Sequence, residues 1–464
     1  MPNPITQAQP ALEFIPPDFN PLVFRAAQVL MPLWRKANTP IAEIEAENVE
    51  RIVELYRQFQ QGKIRFTIAA RHPSTHDPFA VSELLWRIVP QVAKEKAIVL
   101  HSPSHVHALY DRGIPLWAGQ WVGWVFSKLG ATPIQRGKMD RQGLRSAREL
   151  FINGLFPLAA GPEGATNGHN EIVSPLEPGI AQLAFWCVED LKKADRPEEV
   201  LILPLGIQYF YIEDNWDAVE TLLSRMEAFC GLEPLPTDQL KESALDHPHL
   251  THQAYLYPRL IRLGKHLLLL MEDFYRRFYH RDIPKKSAEE IELTRELPAL
   301  LDEALKVAEE YFQVSAKGNV IDRCRRLEQA GWERIYREDI EDFEALSALE
   351  RGLADRVAEE ASLRMWHMRL VESFVAVTGQ YVREKPTFER FAETTLLVWD
   401  TIARIKGEDP FLNRPELGPQ RVKLTVGEPI SVSDRAANYQ QKRRSAIAEL
   451  TKDLQTALEN MIIS

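Results

Sequence analysis

Cysteine is scarce: the 464-residue chain holds only Cys187, Cys230 and Cys324. They are far apart, odd in number and without metal-ligand spacing, so they are expected to be reduced thiols, with no disulfide and no cysteine nucleophile. No run of about 18 apolar residues occurs, and the N-terminus lacks the basic and apolar regions of a secretory signal. The expected location is therefore cytoplasmic, soluble or peripheral on the inner face of a membrane. Cationic excess is also missing: a net charge of -10 gives no broad basic surface to neutralise phosphates, which argues against a general nucleic-acid binder and leaves only local basic patches open. There is no Gly-x-Ser-x-Gly elbow, so no acyl-enzyme on serine is expected. No repeat of 20 to 50 residues is evident.

What is present is a globular composition, 45% hydrophobic and 26% charged, in a chain long enough for two or three domains. The organising stretch is Arg71-His72-Pro73-Ser74-Thr75-His76-Asp77-Pro78. A β-like run, 64–70, precedes it, and a segment with helical apolar spacing, 79–89, follows. A neutral imidazole can take a proton from an attacking hydroxyl at neutral pH. It does so well when a carboxylate fixes its tautomer and stabilises the imidazolium. His72 and Asp77 are the candidate pair, five residues apart across a turn. The plainer alternative is that Asp77 only caps the next helix.

Three further blocks follow in order: Gly130-Ala131-Thr132-Pro133-Ile134-Gln135-Arg136, Gly161-Pro162-Glu163-Gly164-Ala165-Thr166, and Leu201-Ile202-Leu203-Pro204-Leu205-Gly206-Ile207. With the His72 to Asp77 block, the sequence resembles the glycerolipid acyltransferase family, enzymes that acylate glycerol phosphate and lysophosphatidate. The resemblance implies His72 and Asp77 as catalytic residues and Ser74, Arg136, Glu163, Gly164, Thr166 and Pro204 as substrate contacts. It gives Arg136 the phosphate of the acceptor, a task suited to a guanidinium fork. It also implies an acyl-CoA or acyl-carrier-protein co-substrate, a glycerolipid acceptor, and no metal. The sequence departs from the family in three ways. Gly161 replaces an aromatic residue. The arginine expected after the threonine is absent from Asn167-Gly168-His169-Asn170, leaving Arg136 or His169 to compensate. The membrane-embedded helices of many bacterial members are missing.

Along the rest of the chain, 1–20 is proline-rich and read as extended. Residues 21–36 read as a helix, with core packing preferred over an interfacial, membrane-dipping role. A charged helix is expected at 45–61 and a strand at 97–100. The tryptophan-rich segment 114–129 is too short to span a bilayer, and burial in the core is favoured over lipid contact. His101, His105 and His107 with His72 and His76, and separately Asp246, His247, His249 and His252, suggest a metal site, with solvated loop histidines the preferred account. Lys138, Arg141, Arg145 and Arg148 read as a solvated helix face.

Helices are expected at 144–152, 256–278, 287–312, 322–335, 343–378, 388–405 and 436–462, and a strand at 156–160. The last family strand is matched only at 422–430. The expectation is thus an α/β fold, an acyltransferase-type mixed sheet flanked by helices, divided as 1–215, an all-helical insertion 216–420, and 421–464. The expected chemistry is acyl transfer from a thioester to a glycerolipid hydroxyl such as that of lysophosphatidate. Backbone amides near Gly164 or after Asp77 would hold the oxyanion. A metal-dependent hydrolase and a non-catalytic lipid-binding scaffold are the alternatives.

Overall fold

The computed structural model describes residues 5–135, 140–233, 251–374, 380–409 and 414–463. Along the chain come β1 (Gln9–Pro10), α1 (Pro21–Asn38), β2 (Ile41–Glu47), α2 (Val49–Gln60), β3 (Ile64–Ala70), α3 (Asp77–Glu83) and, after a π-helical turn at Leu84–Ile88, α4 (Val89–Glu95). Then follow β4 (His107–Asp111), α5 (Ile114–Ala118), α6 (Gln120–Lys128), β5 (Thr132–Ile134), α7 (Arg141–Asn153), β6 (Leu158–Ala160), α8 (Gly179–Lys193) and β7 (Glu199–Tyr211).

Two compact units result: one holds Leu12–Ile212 and Pro419–Ser464, the other Met1–Ala11 and Glu213–Gly418. The first eleven residues belong with the second unit, a correction to the division at 1–215. The reason is β1, which pairs in parallel with β8 (Tyr336–Arg337); that small bridge also means the second unit is not wholly helical. Its long helices are Trp216–Phe229, Thr251–Phe278, Leu293–Phe312, Val320–Ile335, Ala348–Glu372 and Phe388–Ile405.

The first unit is α/β. Its mixed sheet runs β2-β9-β7-β3-β6-β4-β5, where β9 is Gln420–Val426, and β10 (Ile430–Ser431) also pairs with β7. From β7 to β5 the neighbours are parallel, whereas β9 and β10 lie antiparallel to β7. β7 reads as a continuous apolar run because both its faces are covered. Leu203, Leu205, Ile207 and Tyr209 enter one core with α2, α3 and α4. Val200 and Ile202 enter the other with α7, α8 and the C-terminal helix Arg443–Glu459.

Several local expectations are corrected. The charged stretch from Glu45 begins inside a strand, β2, whose Ile41, Ala46 and neighbours pair in parallel with β9. No strand forms at 97–100; Ala97 takes a φ of +55° and Ile98 closes the helix end on Ala93. The strand comes later, at β4. The tryptophan-rich segment breaks into α5 and α6 at Gly119, whose φ of +100° suits glycine. The terminal helix is interrupted at Lys442.

Helix α1 forms as expected, with Asn20 capping the amides of Leu22 and Val23. Its packing is the reverse of the preferred reading. Leu22, Val29, Leu30 and Leu33 are each at least 59% exposed and Trp34 is half exposed; Phe24 alone is buried. Spacings of seven, one and three place those four aliphatic residues on one helical face. In α6, Trp121 and Trp124 are likewise more than half exposed. Among the described residues, no helix is long and apolar enough to cross a membrane.

Candidate active site

Parallel strands β3 and β6 are neighbours, with Ala69 opposite Ala160, so the loops leaving their C-terminal ends emerge side by side. This is the end of an α/β sheet where ligands usually bind. The first loop carries His72, Ser74 and Asp77; the second carries Glu163, Gly164 and Thr166.

His72 Nδ1 lies 2.8 Å from Asp77 Oδ2. A carboxylate only accepts, so Nδ1 carries the hydrogen and Nε2 keeps its lone pair. The imidazole is one-third exposed while Asp77 is buried. Asp77 is held from three sides: the Ser74 amide also donates to Oδ2 (3.2 Å), and the Tyr209 hydroxyl donates to Oδ1 (2.6 Å). Burial and the adjacent Asp77 carboxylate hold the Tyr209 phenol well above its ordinary range, so it remains a donor. Ser74 Oγ accepts from the His76 amide, tightening the turn. At the outer nitrogen, the exposed Thr166 hydroxyl stands 3.0 Å from His72 Nε2 and, with the ring neutral, donates to it.

Glu163 has a different place from the substrate contact expected of it. It is buried, and its oxygens accept from the amides of His72 and Ser174 and from Asn167 Nδ2, each at 2.8 Å. Its role is to tie the two loops together, because protein donors occupy both oxygens. Below it lies Arg71, 1% exposed, with Nε 3.9 Å from Glu163. Its terminal nitrogens donate to the carbonyls of His169, Asn170 and Ile172. Asn170 in turn exchanges hydrogen bonds with both backbone groups of Tyr209. Arg71, Asn170 and Tyr209 were absent from the expected site.

Gly164 has a φ of +72°, and a Cβ there would fall 2.2 Å from the Glu177 carboxylate. The position thus requires glycine. Its amide closes the turn on the Gly161 carbonyl (3.2 Å), so that amide is engaged rather than held open for an oxyanion. A Cβ on Gly161 would stand 3.4 Å from His72 Cβ. Pro204 is buried within β7, opposite Ala69, inside the sheet rather than on the loops. Arg136 lies outside the described residues, as do Lys138, Asp246, His247 and His249. His169 is buried, with Nδ1 2.7 Å from the Asn167 carbonyl, so it is not placed to meet an acceptor phosphate. Arg148, expected to be a solvated helix residue, pairs with Asp190.

The histidines at 105 and 107 are buried rather than solvated. His105 Nε2 donates to the Leu129 carbonyl (2.8 Å) and Nδ1 accepts from Trp86 Nε1 (3.1 Å), an arrangement that requires the neutral ring. His107 Nδ1 donates to the Gly130 carbonyl. Desolvation pushes His105 down to about 4 and lowers His107 as well. The sign follows from comparison with an unfolded histidine near 6.5. The stability contribution of His105 is complete above that value and is lost as pH falls towards 4, by on the order of 3 kcal/mol. His105→Gln keeps a donor and an acceptor without titrating. Its denaturant midpoint is expected to fall less steeply than wild type between pH 7 and 4.5; an equal slope rejects the assignment. Among the described residues, no group of three or more His, Cys, Asp or Glu side chains could hold a metal ion.

Compared with family models, with curated proteins and with solved structures, the chain matches none.

Proposed function

We propose that this protein is an O-acyltransferase moving a fatty acyl group from a thioester of coenzyme A or acyl-carrier protein to a lipid hydroxyl, with a glycerolipid such as lysophosphatidate as acceptor. The observation that carries the reading is the His72–Asp77 pair, which leaves Nε2 basic at the open end of two sheet loops. The four blocks that resemble glycerolipid acyltransferases supply the reaction class.

In the proposed reaction the acceptor hydroxyl displaces the Thr166 hydroxyl from Nε2 and gives up its proton there. Asp77, steadied by Tyr209 and Ser74, stabilises the imidazolium. The acceptor oxygen attacks the thioester carbonyl, the carbon–sulfur bond breaks, and the departing thiolate takes the proton from Nε2. Every atom is accounted for without a covalent enzyme intermediate. Thr166→Ala tests this directly: turnover is expected to change less than ~10-fold, since a side chain that only holds the acceptor's place contributes one hydrogen bond. Complete loss would instead mark Thr166 as a nucleophile.

The exposed apolar face of α1 supports access to a lipid surface. Across Pro21–Asn38 there is no acidic residue, and Arg25, Arg35 and Lys36 are basic; 114–128 also has no acidic residue. This contrasts with a chain of net charge -10 and suits an anionic membrane. Leu30→Glu with Leu33→Glu is expected to lower cosedimentation with phosphatidylglycerol vesicles ~10-fold or more, because two leucines would no longer enter the bilayer. Unchanged cosedimentation would remove the lipid-facing role of α1. The reaction itself is tested by mass spectrometry of products formed from mixed thioesters with phosphorylated and unphosphorylated lipid acceptors. Absence of any acylated product rejects it.

A further inference from the structure

The helical unit contains a cavity of about 140 Å³ that the transfer chemistry does not use. One wall is a stripe along the helix Thr251–Phe278, running from Tyr257 through Gly264 to Tyr275 at three- and four-residue intervals. That is about five turns, or roughly 27 Å at 1.5 Å per residue. The helices Leu293–Phe312 and Phe388–Ile405 supply most of the opposite wall. The lining is therefore drawn out along the helices as a narrow slot rather than closed round a compact chamber. It reaches the surface, because lining residues such as Tyr257 and Met271 are only partly buried and Ile405 is exposed.

The wall offers hydrocarbon. Four of its five hydroxyls, at Tyr275, Tyr381, Thr394 and Thr401, are bonded to His367, Glu393, the Arg390 carbonyl and the Leu397 carbonyl respectively, and the fifth belongs to Tyr257, which is only partly buried. A polar guest would lose its hydrogen bonds to water and gain few in return. An engineered apolar cavity of ~150 Å³ stays dry and takes apolar guests. A compact ring would fill one end of the slot and leave the rest open, whereas an extended chain matches the whole of it.

We propose that this slot is a binding site for a single long hydrocarbon chain, of the kind carried by a free fatty acid or by a lysolipid. The site lies wholly within the helical unit, and its occupancy is independent of whether His72 catalyses transfer.

Gly264 provides the test. It sits in regular helix, and a Cβ there meets only Leu293 Cδ1, at 3.5 Å. The further atoms of a leucine at this position would enter the slot. Delipidated full-length protein is titrated by calorimetry with palmitate and, separately, with 1-palmitoyl lysophosphatidylcholine below its micellar concentration. Saturable binding of either is expected, and the arm that binds tells which form the chain arrives in. Gly264→Leu is expected to weaken that binding at least tenfold and to raise the melting temperature by filling the slot. His72→Ala should bind as wild type does. Ala304→Leu, from the facing helix, serves if the first variant does not fold. No saturable binding in either arm, or equal binding by a folded slot-filling variant, overturns the proposal. Neither probe carries a thioester, so a negative result here leaves the acyltransferase reading standing, and loss of transfer leaves this one standing.

Discussion

Replacing His72 by alanine is expected to lower acyl transfer by ~10³-fold, within the range that a positioned general base contributes. The fold should be little affected, because the side chain is one-third exposed and its backbone amide, which donates to Glu163, is retained. Asp77→Asn should fall in the same range for a different reason. Tyr209 presents a hydroxyl to one carboxylate oxygen, while Ser74 N–H and His72 Nδ1–H converge on the other. An asparagine that keeps its oxygen towards Tyr209 must point its NH₂ at two donors. The ring would then move its hydrogen to Nε2, and the lone pair that should face the acceptor would be gone. Both variants should lose turnover with little change in apparent substrate affinity; His72→Ala should keep wild-type thermal unfolding, whereas Asp77→Asn, which turns a buried amide towards the Ser74 N–H, should unfold earlier. Near-normal turnover by a folded His72→Ala protein would reject the base assignment.

What the sequence disclosed and what it hid follow from distance along the chain. His72 and Asp77 are five residues apart on one turn after a strand, so their pairing was visible as a local pattern. The carboxylate that holds the His72 amide is 91 residues away, and the hydroxyl that steadies Asp77 is 132 residues from it. No spacing rule reaches that far. Tyr209 did leave a trace, since a tyrosine on a fully buried strand must find a partner for its hydroxyl, but the fourth block ends at Ile207, two residues short of it.

Helix α1 illustrates a different limit. Periodicity reports that apolar residues are segregated on one face; it does not report which way that face turns. The absence of any acidic residue from Pro21–Asn38 was the available signal. The glutamates of β2 continue into a charged helix, which hides the strand, although Ile41–Glu47 also carries the two-residue alternation of an edge strand.

The largest expected loss of stability belongs to Arg71, beside the base. Arg71→Met keeps an unbranched chain of similar reach but deletes a buried guanidinium that serves the backbone carbonyls of His169, Asn170, Ile172 and, at 3.5 Å, Ile207, and faces Glu163. The carbonyls of His169, Asn170 and Ile172 would lose these donors, and the Glu163 carboxylate would remain buried without its cation. Breaking one side of a buried pair costs ~3–5 kcal/mol, which denaturant unfolding should read as a lowered midpoint at an unchanged slope. Activity should fall with it, because Asn170 holds the backbone of Tyr209 and Glu163 holds the amide of His72. Glu163→Gln removes the opposing charge, and the two groups are close enough to couple. The double variant is therefore expected to be less destabilised than the sum of the single ones by ~1 kcal/mol or more. Strict additivity would mean that Arg71 acts through the backbone carbonyls alone, with Glu163 held independently by Asn167, Ser174 and His72.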